Sequence, residues 1–162
     1  MDLSIIIVGY NNNDLLKRCI NSFYDELIKI NIISFEVIII ENGFLNRSPD
    51  FLTSKSLIKW FYSEKNLGYG KGNNMGFNIS NGSSILILNP DIEISAEAIN
   101  EMLKAHNKKG INVITSCQLI YPDGKKQEKD LSWRNVPVQQ RLAIALVKGL
   151  SCATKQVTGW PL

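Results

Sequence analysis

The chain alternates between short unbroken apolar runs and longer stretches in which apolar residues return every third or fourth position. The runs are "LSIIIVG" (Leu3–Gly9), "FEVIII" (Phe35–Ile40), "SILILN" (Ser84–Asn89) and the less pure "LIKWFYS" (Leu57–Ser63). Runs of this length and composition predict strands buried on both faces. After the first run, "YNNND" offers helix N-caps, and Leu16, Ile20, Phe23 and Leu27 then recur at helical spacing, with Lys17, Arg18, Asn21 and Asp25 on the other faces. A second helix is predicted from about Lys71 to Asn81, with Asn81-Gly82 as its C-cap signal. A third begins at Ser95, runs through Ala98, Ile99, Met102 and Leu103, and ends at Gly110. "INVITSCQLIY" predicts a fifth strand. Beyond Tyr121, "PDGKKQEKDLSWRN" reads as a polar turn or hairpin, "VQQRLAIALVKGL" as an amphipathic helix, and "KQVTGW" as the start of a further strand.

Strands alternating with helices imply βαβ units: an α/β fold with a mostly parallel sheet, flanking helices and right-handed crossovers. No repeat, low-complexity tract or linker divides the chain, so residues 1–162 are expected to form a single domain. In an open parallel sheet, ligands bind at the carboxyl ends of the strands. The polar clusters fall at those ends: Tyr10-Asn11-Asn12, Glu41-Asn42-Gly43 and Asn89-Pro90-Asp91, with a glycine-rich segment after the third strand. Any one of them alone reads as an ordinary polar turn; four on one edge describe a cleft.

Composition narrows the partners. With 44% hydrophobic residues, 20% charged and a net charge of +3, the chain is a globular domain with at most a weak anion preference, and nucleic acid is not its default partner. The cysteines Cys19, Cys117 and Cys152 follow no zinc spacing and read as reduced core thiols. His106, the single histidine, sits near a predicted helix end and reads as solvated or dipole-satisfying rather than as a catalytic base. The N-terminus lacks the basic region of a signal peptide, and no window approaches the ~20 apolar residues that span a bilayer. A cytoplasmic protein is expected, with peripheral contact at the inner face of the membrane left open.

The densest signal is "NLGYGKGNNMGF", Asn66–Phe77. It satisfies neither the GxGxxG fingerprint nor the P-loop pattern. A glycine-lined helix N-terminus nevertheless lets a ligand approach the backbone and turns N–H groups toward an anion. "LNPDIE" then places the Asp91 carboxylate two residues after Asn89, stiffened by Pro90. That pair suits a hard divalent cation together with a sugar hydroxyl; it equally suits a turn that initiates the next helix.

Taken in order, "IIIVGYNNNDLLKRCINSF", "EVIIIENG", "NLGYGKGNNMGF" and "ILILNPDIEI" resemble the inverting family 2 of nucleotide-sugar glycosyltransferases, closest to its rhamnosyltransferase-like branch. The resemblance covers residues 3 to 124, with an extension toward Gly159. It implies a GT-A-like, Rossmann-like fold. It places Tyr10 and Asn11 near the base and ribose, and Glu41 where the family has a base-contacting aspartate. Gly68, Gly70 and Asn74 would frame the nucleotide pocket, Asn89 would face the ribose or metal, and Asp91 would ligate Mn²⁺ or Mg²⁺ on the diphosphate. The implied activity is metal-dependent transfer, with inversion, from a UDP- or dTDP-sugar to a saccharide or lipid-linked saccharide acceptor.

The sequence departs from the family at the general base. Members carry an acidic pair in the second half of the domain. Here Glu128 and Asp130 lie in a turn-like segment just after the fifth strand, and no catalytic base is assigned. The chain is therefore expected to hold the donor-binding part without the acceptor half, with "RLAIALVKGL" and "VTGWPL" short of packing partners and prone to self-association. The alternative is a catalytically inactive nucleotide-sugar-binding or scaffold module of the same fold.

Overall fold

A computed structural model describes residues 1–43, 47–109, 114–127 and the backbone of 144–148. Its elements, in chain order, are β1 (Leu3–Gly9), α1 (Asn13–Ile30), β2 (Phe35–Glu41), a 3₁₀ turn at Asp50–Leu52, β3 (Ile58–Tyr62), α2 (Tyr69–Ile79), β4 (Ser84–Leu88), α3 (Ala96–Lys109), β5 (Ile114–Thr115) and β6 (Ile144–Lys148). The strands form one sheet in the order β3-β2-β1-β4-β6-β5. β1, β2, β3 and β4 are parallel, with Gly9 beside Glu41 and Glu41 beside Tyr62 at their carboxyl edge. β6 runs antiparallel to both β4 and β5.

The apolar runs become strands because both of their faces are covered. Ile5, Ile7, Val37, Ile39, Leu86 and Leu88 face Leu16, Ile20, Phe23 and Leu27 of α1, together with Ile99 and Met102 of α3. Val8, Ile38 and Ile40 on the other face meet Tyr69, Met75 and Ile79 of α2. Asn12 caps α1 by accepting from the Leu15 N–H at 3.2 Å, and Ser95 accepts from the Ala98 N–H at 3.2 Å to open α3.

Helix α2 lies closer to the sheet than its composition suggests. Gly72 and Gly76, one turn apart, rest on β1: an added Cβ at Gly76 would stand 2.5 Å from Ile6 Cγ2, and one at Gly72 2.8 Å from Val8 Cγ1.

Several expectations are corrected. Helix α2 starts two residues earlier than predicted and ends at Ser80, an extended residue whose N–H donates to the Phe77 carbonyl, rather than at an Asn81-Gly82 cap. Gly82 has a different job: its N–H donates to Ser4 Oγ at 2.8 Å, and a Cβ there would collide with the β1 backbone. Among the described residues of "INVITSCQLIY", Ile114–Thr115 is strand and the stretch after it is not; Ile120 bridges Lys126 across the turn at Pro122–Gly124, which bears out the hairpin reading of that part. The predicted amphipathic helix in "VQQRLAIALVKGL" is instead β6 over Ile144–Lys148, and it sits between β4 and β5 rather than lacking partners. Alanine and leucine favour helix only weakly against the pairing offered by two strands. His106 is not solvated: it is fully buried, with Nδ1 3.2 Å from Thr115 Oγ1. Cys19 is a buried thiol in the core, as expected, and Cys117 packs half-buried against the same core. The "KQVTGW" segment, Glu128, Asp130 and Cys152 lie outside the described residues.

A buried carboxylate pins α2 at the edge opposite the polar strand ends. Glu36, only 2% exposed, accepts from Ser4 Oγ at 2.7 Å, from the Asn81 N–H at 2.6 Å and from Lys59 Nζ at 2.7 Å. Burial pushes its pKa up, but Lys59, Ser4 and Asn81 outweigh this and hold it below the ordinary 4.5. A depressed folded-state pKa contributes stability above the unfolded value that is lost as pH falls through the folded one. Accordingly, Glu36→Gln is expected to lower stability by about 1–3 kcal/mol at neutral pH. Urea titrations should show the gap to wild type closing below about pH 4.5.

Candidate functional site

The strand order reverses between β1 and β4. From β1 the chain proceeds outward to β2 and β3, then returns by way of α2 to add β4 on the other side of β1. The carboxyl ends of the two strands that diverge there carry Tyr10-Asn11 and Asn89-Pro90-Asp91, and α2 begins on the sheet face between them in the chain path. A crevice at such a point is where open α/β sheets hold ligands.

The strand ends are tied together by buried polar side chains. Glu41, 1% exposed, accepts through Oε1 from the Asn11 N–H at 2.9 Å and the Gly43 N–H at 2.9 Å. This holds Asn11 in a left-handed conformation, φ 49°, with its side chain packed over Gly43 where a Cβ has no room. Gly9 is small for the same reason: a Cβ there would lie 3.2 Å from Glu41 Oε2. The longer glutamate thus organises the β1 and β2 ends through the backbone. Tyr10 beside it is 52% exposed.

Asn42 does for the glycine-rich segment what Glu41 does for β1. Its Nδ2 donates to Asn66 Oδ1 at 2.9 Å, and its Oδ1 accepts from the Leu67 N–H at 2.8 Å. Asn66 Oδ1 in turn accepts from the Gly68 N–H at 2.8 Å. The loop so held delivers Gly68 at φ 78°, a conformation that favours glycine, as the residue that opens α2. Gly70 in the first turn has open space where a Cβ would be, and Asn74, one turn on, is exposed.

Asn89 is held from both faces of the sheet. The Tyr69 hydroxyl, from α2, donates to Asn89 Oδ1 at 2.5 Å, and the Cys19 thiol, from α1, reaches the Asn89 carbonyl at 3.7 Å. Burial raises the Tyr69 pKa, a hydrogen bond with Asn73 lowers it, and the Asp91 charge raises it; the net shift is upward, so the phenol stays protonated. Burial, then the charges of Asp91 and Glu93, push the Cys19 thiol up to about 12. Asp91 itself is exposed, and Glu93 two residues on pairs with Arg18 of α1. Among the described residues no cluster of three or more His, Cys, Asp or Glu is arranged to hold a metal. A single exposed carboxylate fits a divalent cation only where substrate oxygens and water complete the shell, as phosphate-bound Mg²⁺ sites do.

Every residue proposed from the sequence stands at the carboxyl edge of the parallel strands or on the first two turns of α2. Direct hydrogen bonding joins Asn11 to Glu41. Asn89 is reached from α2 by Tyr69, and Asn74 enters none of these bonds. Sequence reasoning placed Asn42, Asn66 and Tyr69, which hold the site, inside the polar and glycine-rich clusters without giving them a role, and did not single out Gly72 and Gly76 within the glycine-rich segment. The four-residue spacing of those two glycines, opposite the exposed Lys71 and Asn74, was the available signal for helix–sheet packing.

No described helix is long and apolar enough to cross a membrane. Among curated proteins, the chain is 31% identical over 118 residues to the low-salt glycan biosynthesis hexosyltransferase Agl10 of Haloferax volcanii, covering 70% of this chain and 36% of that protein. The chain thus spans about a third of that relative's length. Among solved structures, it matches S. aureus TarS residues 1–349 with a TM-score of 0.55 at 19% identity, over 67% of this chain and 33% of that one. The same protein in complex with UDP-GlcNAc matches with a TM-score of 0.51 at 19% identity, over 67% and 32%. These likenesses establish the GT-A-like architecture. The sequence profile of glycosyl transferase family 2 matches residues 4–144, and this chain belongs to that family.

Proposed function

We propose that this chain binds the donor of a glycosyltransferase that moves a sugar from a nucleoside diphosphate, UDP or dTDP, to a saccharide or lipid-linked saccharide with inversion. The observation that carries the reading is that the polar ends of β1, β2 and β4 lie together around the β1/β4 switch point, each held by a buried or half-buried side chain rather than left as a loose turn. Membership of family 2 and the UDP-GlcNAc bound by the structurally similar TarS support a nucleotide-sugar donor.

In this reading Tyr10 and Asn11 meet the base and ribose, with Glu41 beneath them. The diphosphate lies at the start of α2, where Gly68 and Gly70 let it approach and the first-turn N–H groups have no intrahelical acceptors. Lys71, exposed in that same turn, works against the helix dipole unless an anion is present, which suits the assignment. Asn74 borders the pocket, and Asn89 and Asp91 close its far side. Asp91 would hold Mn²⁺ or Mg²⁺, which neutralises charge on the departing diphosphate. The chain's own share is to orient that group and stabilise its developing charge with fixed dipoles.

The test is thermal unfolding with UDP, dTDP, GDP and CDP, each with and without Mn²⁺. A ligand at a hundredfold excess over Kd adds about 2.7 kcal/mol, and each kcal/mol moves the midpoint of a chain this size by roughly 2–4 °C. A rise confined to UDP or dTDP and dependent on Mn²⁺ is expected. No rise with any of the four contradicts the donor assignment.

A further inference from the structure

We propose that Tyr69 is a positioning residue that turns the Asn89 side chain so that its Nδ2 donates to the donor's diphosphate. The inference rests on the donor reading and adds to it which atom of Asn89 meets the ligand and what sets it.

The geometry is specific. The Tyr69 ring is anchored in the small apolar cluster of Val8, Ile38 and Ile40, so its hydroxyl is carried on a packed lever rather than on a surface side chain. Its backbone carbonyl is gripped by Asn73 Nδ2 at 3.0 Å. From there the hydroxyl reaches across from α2 to Asn89 at 2.5 Å. The acceptor is Asn89 Oδ1, so the amide oxygen faces Tyr69 and the nitrogen faces away. The Cys19 thiol holds the Asn89 carbonyl from the other side of the sheet and limits rotation of the turn. An amide so oriented offers two N–H donors beside the exposed Asp91, which an anionic ligand accepts from and a cation does not. The same bond fastens the first residue of α2 to the Asn-Pro-Asp turn. It therefore sets the spacing between the two elements that the diphosphate must span.

The experiment compares UDP with uridine, which lacks the phosphates, by calorimetric titration in Mn²⁺. Wild type, Tyr69→Phe, Asn89→Ala, Asn89→Asp and the Tyr69→Phe/Asn89→Ala pair are measured. Tyr69→Phe keeps the packed, half-buried ring, and is expected to leave the unfolding midpoint within about 2 °C while weakening UDP about tenfold. Uridine affinity should not change, a selectivity that general loosening of the fold does not produce. Asn89→Asp retains an acceptor for Tyr69 but loses the donors, so it should weaken UDP at least as much as Asn89→Ala. Adding Tyr69→Phe to Asn89→Ala should cost nothing further. Overturning results are an unchanged UDP affinity in Tyr69→Phe, an equal loss for uridine, fully additive effects in the pair, or undiminished UDP binding by Asn89→Asp. A wild-type chain that binds neither UDP nor dTDP overturns the donor reading, and this inference with it. Wild-type binding with an indifferent Tyr69→Phe overturns this inference alone.

Discussion

Gly76→Val is expected to destabilise the fold by about 3 kcal/mol or more, lowering the unfolding midpoint by roughly 6–12 °C. The reason lies in the contact between α2 and β1. A Cβ at Gly76 would stand 2.5 Å from Ile6 Cγ2, and Ile6 is fully buried in the middle of the sheet. Its β-branched side chain is restricted at χ1 and enclosed on every side, so it has little room to retreat. The helix must therefore lift, which opens the cluster around Val8, Ile38 and Ile40 and moves Gly68 and Tyr69, at its other end, away from Asn89. Gly70→Ala is the control. Alanine has a helix advantage over glycine of about 1 kcal/mol, and at Gly70 a Cβ meets nothing within 4 Å. That variant should unfold no earlier than wild type, yet bind nucleotide less well, because under the proposed donor assignment its methyl would occupy space the diphosphate needs. Chemical denaturation of the two proteins separates packing from binding.

Asp91→Ala is expected to abolish the Mn²⁺-dependent part of nucleotide affinity while leaving the unfolding midpoint in the absence of ligand essentially unchanged. Asp91 is exposed and accepts none of the hydrogen bonds that hold the strand ends, which run instead through Glu41, Asn42 and Tyr69. Removing it subtracts charge from the site without loosening the frame. Affinity measured in chelator should then be the same in both proteins. Equal affinity of variant and wild type in Mn²⁺ would show that the metal, if any, is held elsewhere.

These predictions depend on features that the sequence revealed unevenly. β1, β2 and β4 were legible because parallel strands buried on both faces need unbroken apolar runs, and little else in a domain of this size has that pattern. The carboxyl-edge location of the site followed, since polar clusters at successive strand ends can only meet on one edge. What stayed hidden depended on contacts between distant segments. Nothing local in "ENG" says that Asn42 will grip Asn66 and the Leu67 amide, and a tyrosine next to a glycine does not announce a bond to a residue 20 positions away. The glycines of "NLGYGKGNNMGF" looked alike in the sequence, but they divide by role: Gly68 supplies a positive φ, Gly70 faces open space, and Gly72 and Gly76 let the helix sit on β1. The segment containing Ile144–Lys148 was misread because its period suits a helix, whereas its pairing with β4 and β5 decides otherwise. His106 was misplaced for a similar reason: its partner Thr115 lies on a strand that folds back against α3.

The most direct measurement is to follow the backbone amides by NMR while adding UDP and a trace of Mn²⁺, whose unpaired electrons broaden resonances close to it. The account predicts loss of signal at Asp91 and in the first turn of α2, around Gly68 and Gly70, with Ser4, Glu36 and Gly82 at the opposite edge of the sheet unaffected. Broadening centred on that opposite edge, or spread evenly over the chain, would contradict it.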